Sequence, residues 1–190
     1  MEQVYDAQWA GQLDTLLNQV WLRLARGVND RRAPGRHPTL ATVDSEGMPQ
    51  ARTVVLRSAE PSSGVLTIYS DRRANKVEQV LNHPHATLHI WDNIAHLQMR
   101  LLTRVCVRAD AAVVPIWDQL SAHARACYGF QPASGEVLDD GLAYEKWPDP
   151  SAFVVLELTV DKMDILHLGR RHRRAHYQRS DDWAGQWVVP

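Results

Sequence analysis

The chain has 190 residues, 45% hydrophobic and 23% charged, with a formal net charge of −1; these proportions exclude wholesale disorder and low-complexity architecture. No apolar run approaches the roughly 18 residues of a membrane span, and two cysteines, Cys106 and Cys127, make neither a disulfide framework nor a zinc-thiolate site. The positive charge is almost all arginine, with only Lys76, Lys146 and Lys162 as lysine, and guanidinium favours bidentate grips on carboxylate and phosphate, so an anionic ligand is the class to seek.

In chain order, the acidic opening Met1-Glu-Gln-Val-Tyr-Asp6 has neither the basic nor the apolar region of a secretory leader, which predicts a cytoplasmic address. Trp9, Leu13, Leu16, Leu17, Val20 and Leu24 recur at steps of three and four, the stripe of an amphipathic helix over 6–26 within an N-terminal segment 1–28. Residues 29–38 carry Pro34 and Pro38 and read as a loop. Residues 39–44 and 50–58 alternate about Asp44-Ser-Glu-Gly47, which predicts a hairpin.

A strand over 65–70 and a short helix over 75–82 follow, the helix ended by Pro84. Strands are expected at 86–92 and 96–108. In the second, Leu97, Met99, Leu101, Val105 and Val107 share one face and His96, Gln98, Arg100, Arg104 and Arg108 the other. Residues 115–128 predict one helix, 129–150 an irregular acidic stretch, 153–168 a long strand, and 176–179 and 186–189 closing strands. Six or seven antiparallel strands with a few helices and no βαβ regularity predict a mainly β (α+β) barrel, built as one domain over 1–190.

The run Arg52-Thr-Val-Val-Leu-Arg57 sets two guanidiniums in an apolar strand. Either they face solvent or each meets an anion, because burying an unpaired cation is costly; a separation of five puts them on opposite faces unless a bulge intervenes. Ser70-Asp-Arg-Arg-Ala-Asn-Lys76 passes from a strand end into a helix start, which is the pattern of a plain capped helix or of a phosphate site. Residues 167–179 hold five arginines, three histidines and no acid. Nucleic acid is disfavoured as a partner by the near-neutral net charge and the lack of aromatics interleaved with the basic run. His83, His85 and His89 have no carboxylate or thiolate at ligand spacing, so no metal is expected.

In order and spacing, these segments resemble the pyridoxamine 5′-phosphate oxidase family over most of residues 37–179. Arg52-x-x-x-x-Arg57 resembles its Arg-x-x-x-x-Lys flavin strand, Tyr69-Ser70 its Tyr-Thr pair, and Asn75-Lys76 the end of its Ser-Arg-Lys motif. Gln98 matches a glutamine that contacts the flavin, and Arg170-x-His172-x-Arg174 resembles the Arg-x-His-x-Arg signature. The chain departs from the pattern with Arg57 for Lys, Asn75 for Arg, and Asp164 for the Trp six residues before Arg170. Only Trp117, Ser121 and Arg125 stand near the place of the Tyr, Arg and Ser that hold the substrate phosphate.

The resemblance implies an antiparallel FMN-binding split barrel that forms a homodimer with FMN at the interface. It assigns Arg52, Thr53, Val54, Val55, Leu56, Arg57, Tyr69, Ser70, Asn75, Lys76, Gln98 and Arg174 to FMN, and Arg57, Arg170 and His172 to the substrate, with Arg170 and His172 catalytic. The implied activity is oxidation of an amine, pyridoxamine or pyridoxine 5′-phosphate among the candidates, by hydride transfer to FMN and reoxidation by dioxygen. Two alternatives are an FMN-binding protein or NAD(P)H-dependent flavin reductase of this fold that does not act on B6 vitamers, and a non-catalytic module that holds haem or another anionic ligand.

Overall fold

The computed structural model describes residues 7–190. Helix α1 (Leu13–Asn29) follows a 3-10 turn at Gln8–Gly11; the helix start expected at Asp6 lies outside the described residues. Leu16, Val20 and Leu24 of its stripe are completely buried. The helix stops at Asp30, whose carboxylate accepts from Arg26 Nε at 3.1 Å and from the Arg32 N–H at 2.9 Å.

β1 (Thr39–Val43) and β2 (Pro49–Thr53) form the expected hairpin. Asp44 accepts from the N–H groups of Glu46 and Met48, and Gly47 takes the positive φ of the turn. The strand expected over 50–58 is broken, however. Val54 and Val55 belong to no strand, and β3 (Leu56–Glu60) pairs with β4 (Val65–Asp71) instead, with a register shift around Arg57. The break has a physical reason: β2 is bound to β1 while β3 must reach β4 to close the barrel, so the chain leaves one ladder for another. The Val54 N–H, outside both ladders, donates to the Pro38 carbonyl at 2.9 Å.

The remaining elements in chain order are α2 (Asn75–Asn82), β5 (His85–Asp92), β6 (Leu97–Arg108), α3 (Val114–Gln119), α4 (Ala122–Arg125), the two-residue pair β7 (Phe130–Gln131) and β8 (Glu145–Lys146), then β9 (Phe153–His167), β10 (Arg173–Gln178) and β11 (Gly185–Val188). Antiparallel ladders β4–β9, β9–β6, β6–β5 and β5–β1 complete a ring that closes through the covalent link at Val54–Val55. One edge of β9 is bonded to β6, while the other is bonded first to β4 as far as Thr159 and then to β10 from Lys162 onward. Asp161 is the extra residue where the β6 register shifts.

This is the antiparallel split barrel with attached helices. Its main sheet has nine strands rather than six or seven, because the expected 50–58 strand divides in two and both C-terminal strands join the sheet. The interior is filled by Leu40, Leu56, Leu88, Leu101 and Met163, among others. A second, smaller cluster of Val113, Trp117, Tyr128, Phe153 and Val155 packs on the outside of β9.

The single helix expected over 115–128 is two helices, separated at Leu120, whose backbone is extended. Ser121 causes the break by capping α4, its hydroxyl accepting from the Ala124 N–H at 3.2 Å. Arg125 then donates to the freed carbonyls of Trp117 at 3.0 Å and Asp118 at 2.7 Å. Among the described residues no helix is long and apolar enough to cross a membrane.

Helix α1 is seated by a backbone approach that only glycine permits: a Cβ on Gly27 would stand 2.8 Å from the Arg36 nitrogen, closer still to the Gly35 carbonyl. Gly27→Ala is therefore expected to destabilise the protein by about 1–3 kcal/mol, read as a lowered urea midpoint; an unchanged midpoint would show that the helix shifts without cost.

Candidate functional site

At one end of the barrel, β2 delivers Arg52 opposite Leu40, on the core-facing side of the sheet. Its guanidinium donates to the Thr42 hydroxyl and, at 2.9 Å, to Gln79 Oε1, while the Thr42 hydroxyl itself donates to Gln79 Oε1 at 2.6 Å. Thr42 and Gln79 are both buried, so Arg52 is held by a rigid, neutral cradle. Lys76 lies one turn before Gln79 on α2. Burial pushes its ammonium pKa down, the charge of Arg52 pushes it further, and Asp71 partly offsets them. Burial also lowers Arg52. Two half-buried cations thus face each other, and among the described residues neither forms an ion pair with a carboxylate.

Asp71, the acid whose charge acts on Lys76, is committed elsewhere. It accepts from the Arg73 N–H at 2.9 Å, from Arg73 Nε at 3.1 Å and Nη2 at 2.9 Å, and from the Gly129 N–H at 2.9 Å. Burial pushes its carboxyl up, and these donors more than offset that, leaving it lowered. Gly129 has φ +110°, and a Cβ there would collide with the Trp147 carbonyl, so only glycine brings this N–H to Asp71. Ser70, buried, donates its hydroxyl to the Asp71 carbonyl at 3.0 Å, and Asn75 begins α2 beside Gly135.

Arg57 goes to a different place from Arg52. Its guanidinium lies over the Tyr69 ring, 5.2 Å from the centroid, and its charge reaches Tyr128. Its Nε is buried without a hydrogen-bond partner. Burial pushes both phenols up, and the charge of Arg57 draws each partly back. The expectation of opposite faces on one continuous strand is replaced by two strands that aim the arginines at separate surroundings. Thr53 is exposed on β2, Val54 and Leu56 are buried, and Val55 is half-buried.

Gln98 and Arg174 sit side by side with Leu166 between them, in a row that starts at Trp91. This row is on the outward face of the sheet, whereas Arg52 is on the core side, so one chain does not bring all the expected cofactor residues together. Arg170 and His172 lie exposed in the turn between β9 and β10. Trp117, Ser121 and Arg125 are engaged within the broken helix pair, with the Arg125 guanidinium 5.5 Å over the Trp117 ring. Among the described residues no group of three or more His, Cys, Asp or Glu side chains is placed to hold a metal.

Sequence reasoning missed Thr42, Gln79 and the function of Asp164. Thr42 was legible as a polar residue on the core-facing register of β1, two after Leu40, and Gln79 as the residue sharing a helix face with Asn75 and Lys76. Asp164 accepts from Arg174 Nε at 2.9 Å and Nη2 at 2.7 Å and from Arg100, with His176 Nε2 3.4 Å away. Burial alone would raise its carboxyl, but hydrogen bonds from Arg174 and Arg100 and their charge lower it to about 2.

Above the ordinary 3.8 of an unfolded aspartate, that shift contributes about 2 kcal/mol to stability, which is lost as pH falls through about 2. Urea titrations of wild type and Asp164→Asn are expected to differ most near pH 5 and to converge near pH 2. Parallel pH profiles of the two proteins would show that Asp164 is not depressed.

Residues 7–108, more than half of the chain, match the family model described as pyridoxamine 5′-phosphate oxidase, FMN-binding domain. A pyridoxine/pyridoxamine 5′-phosphate oxidase from Chromohalobacter salexigens is 34% identical over 89 residues, which is 47% of this chain and 40% of that protein. One from Microcystis aeruginosa is 32% identical over 78 residues, 41% of this chain and 36% of that protein. The matched stretch thus spans less than half the length of either curated relative. Among solved structures, a pyridoxamine 5′-phosphate oxidase-related, FMN-binding protein from Nostoc punctiforme superposes with a TM-score of 0.76 at 25% identity, covering 91% of this chain and 96% of that one. PhzG from Burkholderia lata, in complex with tetrahydrophenazine-1-carboxylic acid, shares the fold with a TM-score of 0.72 at 19% identity, covering 100% and 97%. The segment that carries the core-side cations is the segment matched, FMN is the cofactor of that domain, and the chain belongs to the pyridoxamine 5′-phosphate oxidase FMN-binding domain family.

Proposed function

We propose that the protein is an FMN-dependent oxidoreductase that oxidises a small anionic amine, with pyridoxamine 5′-phosphate, or the corresponding alcohol pyridoxine 5′-phosphate, as first candidates and dioxygen as the final acceptor. The observation that carries this reading is the Arg52–Lys76 pair. Two half-buried cations, Arg52 bonded only to neutral acceptors and Lys76 offset only in part by Asp71, are costly alone and favourable around a phosphate dianion. The partnerless Nε of Arg57 is a second donor suited to an anion. The residues present therefore fit FMN.

Bound FMN supplies a two-electron acceptor that takes hydride from a substrate and is reoxidised by dioxygen. In this reading Arg52 and Lys76 neutralise its phosphate, Ser70 and Asn75 frame the start of α2, and residues 53–56 and Tyr69 line the approach. Arg57 and Arg170 hold the substrate anion, and His172 hydrogen-bonds the reacting amine. Gln98 and Arg174 face away from Arg52, so a second copy of the chain supplies them to the flavin of its partner. Residues 1–190 form one flavin-binding unit with its core over 37–179, acting on a small molecule in the cytoplasm.

A second reading, a flavin reductase that uses NAD(P)H and leaves B6 vitamers untouched, is favoured by one observation. Arg125 and Ser121 are bound to their own helix breaks and are not presented for a substrate phosphate.

The deciding experiment loads the purified protein with FMN and adds pyridoxamine 5′-phosphate without oxygen while the visible flavin band is followed. Bleaching supports amine oxidation; a band bleached only by NADPH supports the reductase; a protein that takes up no FMN overturns both. Arg52→Ala is expected to weaken FMN binding about 10- to 100-fold, the loss of one or more charge-assisted hydrogen bonds, in a fluorescence titration. Arg170→Ala is expected to lower turnover far more than FMN affinity, and equal losses of the two would refute its substrate role.

A further inference from the structure

The carboxylate of Asp164 is shared by two guanidiniums that arrive from different strands. Arg100 on β6 and His176 on β10 are its direct cross-strand neighbours, so all three stand in one row on the outward face. Arg174 belongs to the adjoining row, beside Leu166 and Gln98, and reaches diagonally to make a bidentate bond at 2.9 and 2.7 Å. Asp164 itself is buried beneath these partners. Here the fork of Arg174 is locked by both of its bonds, and Arg100 is held to the same oxygen that Arg174 Nη2 uses. A cavity of about 450 Å³ opens beside this cluster, with Arg100, Lys162, Asp164 and His176 in its wall.

Without the carboxylate, Arg100 and Arg174 would be two like charges on neighbouring rows, and a long flexible arginine would have no fixed orientation. With it, Arg174 presents a single pose and the face loses one unit of positive charge.

We propose that Asp164 is a positioning residue: its carboxylate, shared by Arg100 and Arg174, fixes the Arg174 guanidinium on the outward face of the sheet and lowers the positive charge which that face presents to the flavin. The inference rests on the reading that Arg174 addresses FMN, and it reaches beyond that reading by assigning Asp164 control over both affinity and redox balance. Fixing a donor before the ligand arrives removes the ordering cost from binding. Removing a neighbouring negative charge favours the reduced, anionic flavin.

The test uses the FMN-loaded protein and four variants: Asp164→Asn, Arg174→Gln, their double mutant, and Arg174→Lys. FMN dissociation constants and flavin midpoint potentials are measured at neutral pH. Asp164→Asn is expected to weaken FMN about tenfold and to move the potential in the positive direction. In the Arg174→Gln background the same change should alter affinity by less than about twofold, because the partner through which it acts is gone. Arg174→Lys keeps the charge, cannot fork onto the carboxylate, and should lose affinity about as much as Asp164→Asn; it decides the matter if Asp164→Asn does not fold.

Wild-type affinity and potential in Asp164→Asn would overturn the inference while leaving the flavin site intact. So would an undiminished tenfold loss in the Arg174→Gln background, or wild-type affinity in Arg174→Lys. Failure of the wild-type protein to bind FMN would remove the reading and the inference together.

Discussion

Strand β9 gives one of its edges to two partners in succession. Fifteen residues in extended conformation span roughly 50 Å, enough for β4 to occupy the first half of that edge and β10 the second, while β6 runs along the whole opposite edge. The barrel closes around the first half, and the sheet continues outward beyond the second. The extra residue at Asp161 marks the passage between the two regimes. In the second half Asp164 points outward between Met163 and Ile165, which join Val154 and Leu156 in the core, and its arginine partners bury it.

Charge placement follows this geometry. Several arginines in the described residues are matched to an acid near them: Arg23 with Asp92, Arg73 with Asp71, Arg108 with Asp110, Arg174 with Asp164. Arg52 is held differently. It is anchored by a threonine hydroxyl and a glutamine amide, groups that orient a guanidinium without cancelling it, so the field at the barrel end stays positive. Asp71, the acid whose charge reaches Lys76, is drawn off by Arg73 and by the N–H of Gly129, which crosses over from the irregular segment after α4. The long excursion between α4 and β9 thus shapes the site by engaging the Asp71 carboxylate through Gly129.

Much of this is legible in the sequence. Strict alternation in 96–108 reported a strand with one apolar face, and Asp44-Ser-Glu-Gly47 reported a hairpin, because both signals are local. What failed was non-local. The run from Arg52 to Arg57 has the alternation and β-branching of one strand, and nothing within it reveals that its halves have different neighbours. The helix over 115–128 looked continuous because its apolar spacing is continuous, while Ser121 and Arg125 together supply an alternative set of hydrogen bonds at Leu120. At the site, cations were easy to find by their chemistry. Their neutral anchors, Thr42 and Gln79, come from elements 37 residues apart in sequence, and no local pattern connects them.

The late position of β9 in the chain bears on how the protein is made. β4 and β6 have no ladder in common until residues 153–167 enter between them, so during vectorial synthesis the first hundred or so residues emerge with the barrel open and two strand edges unpaired. Contacts across such separations form slowly, and open edges invite association with other chains. The stretch most recognisable by its relatives, residues 7–108, is for this reason not a module that can close on itself. A nascent chain must carry residues 7–108 for about sixty further codons before the strand that shuts the barrel has been translated in full.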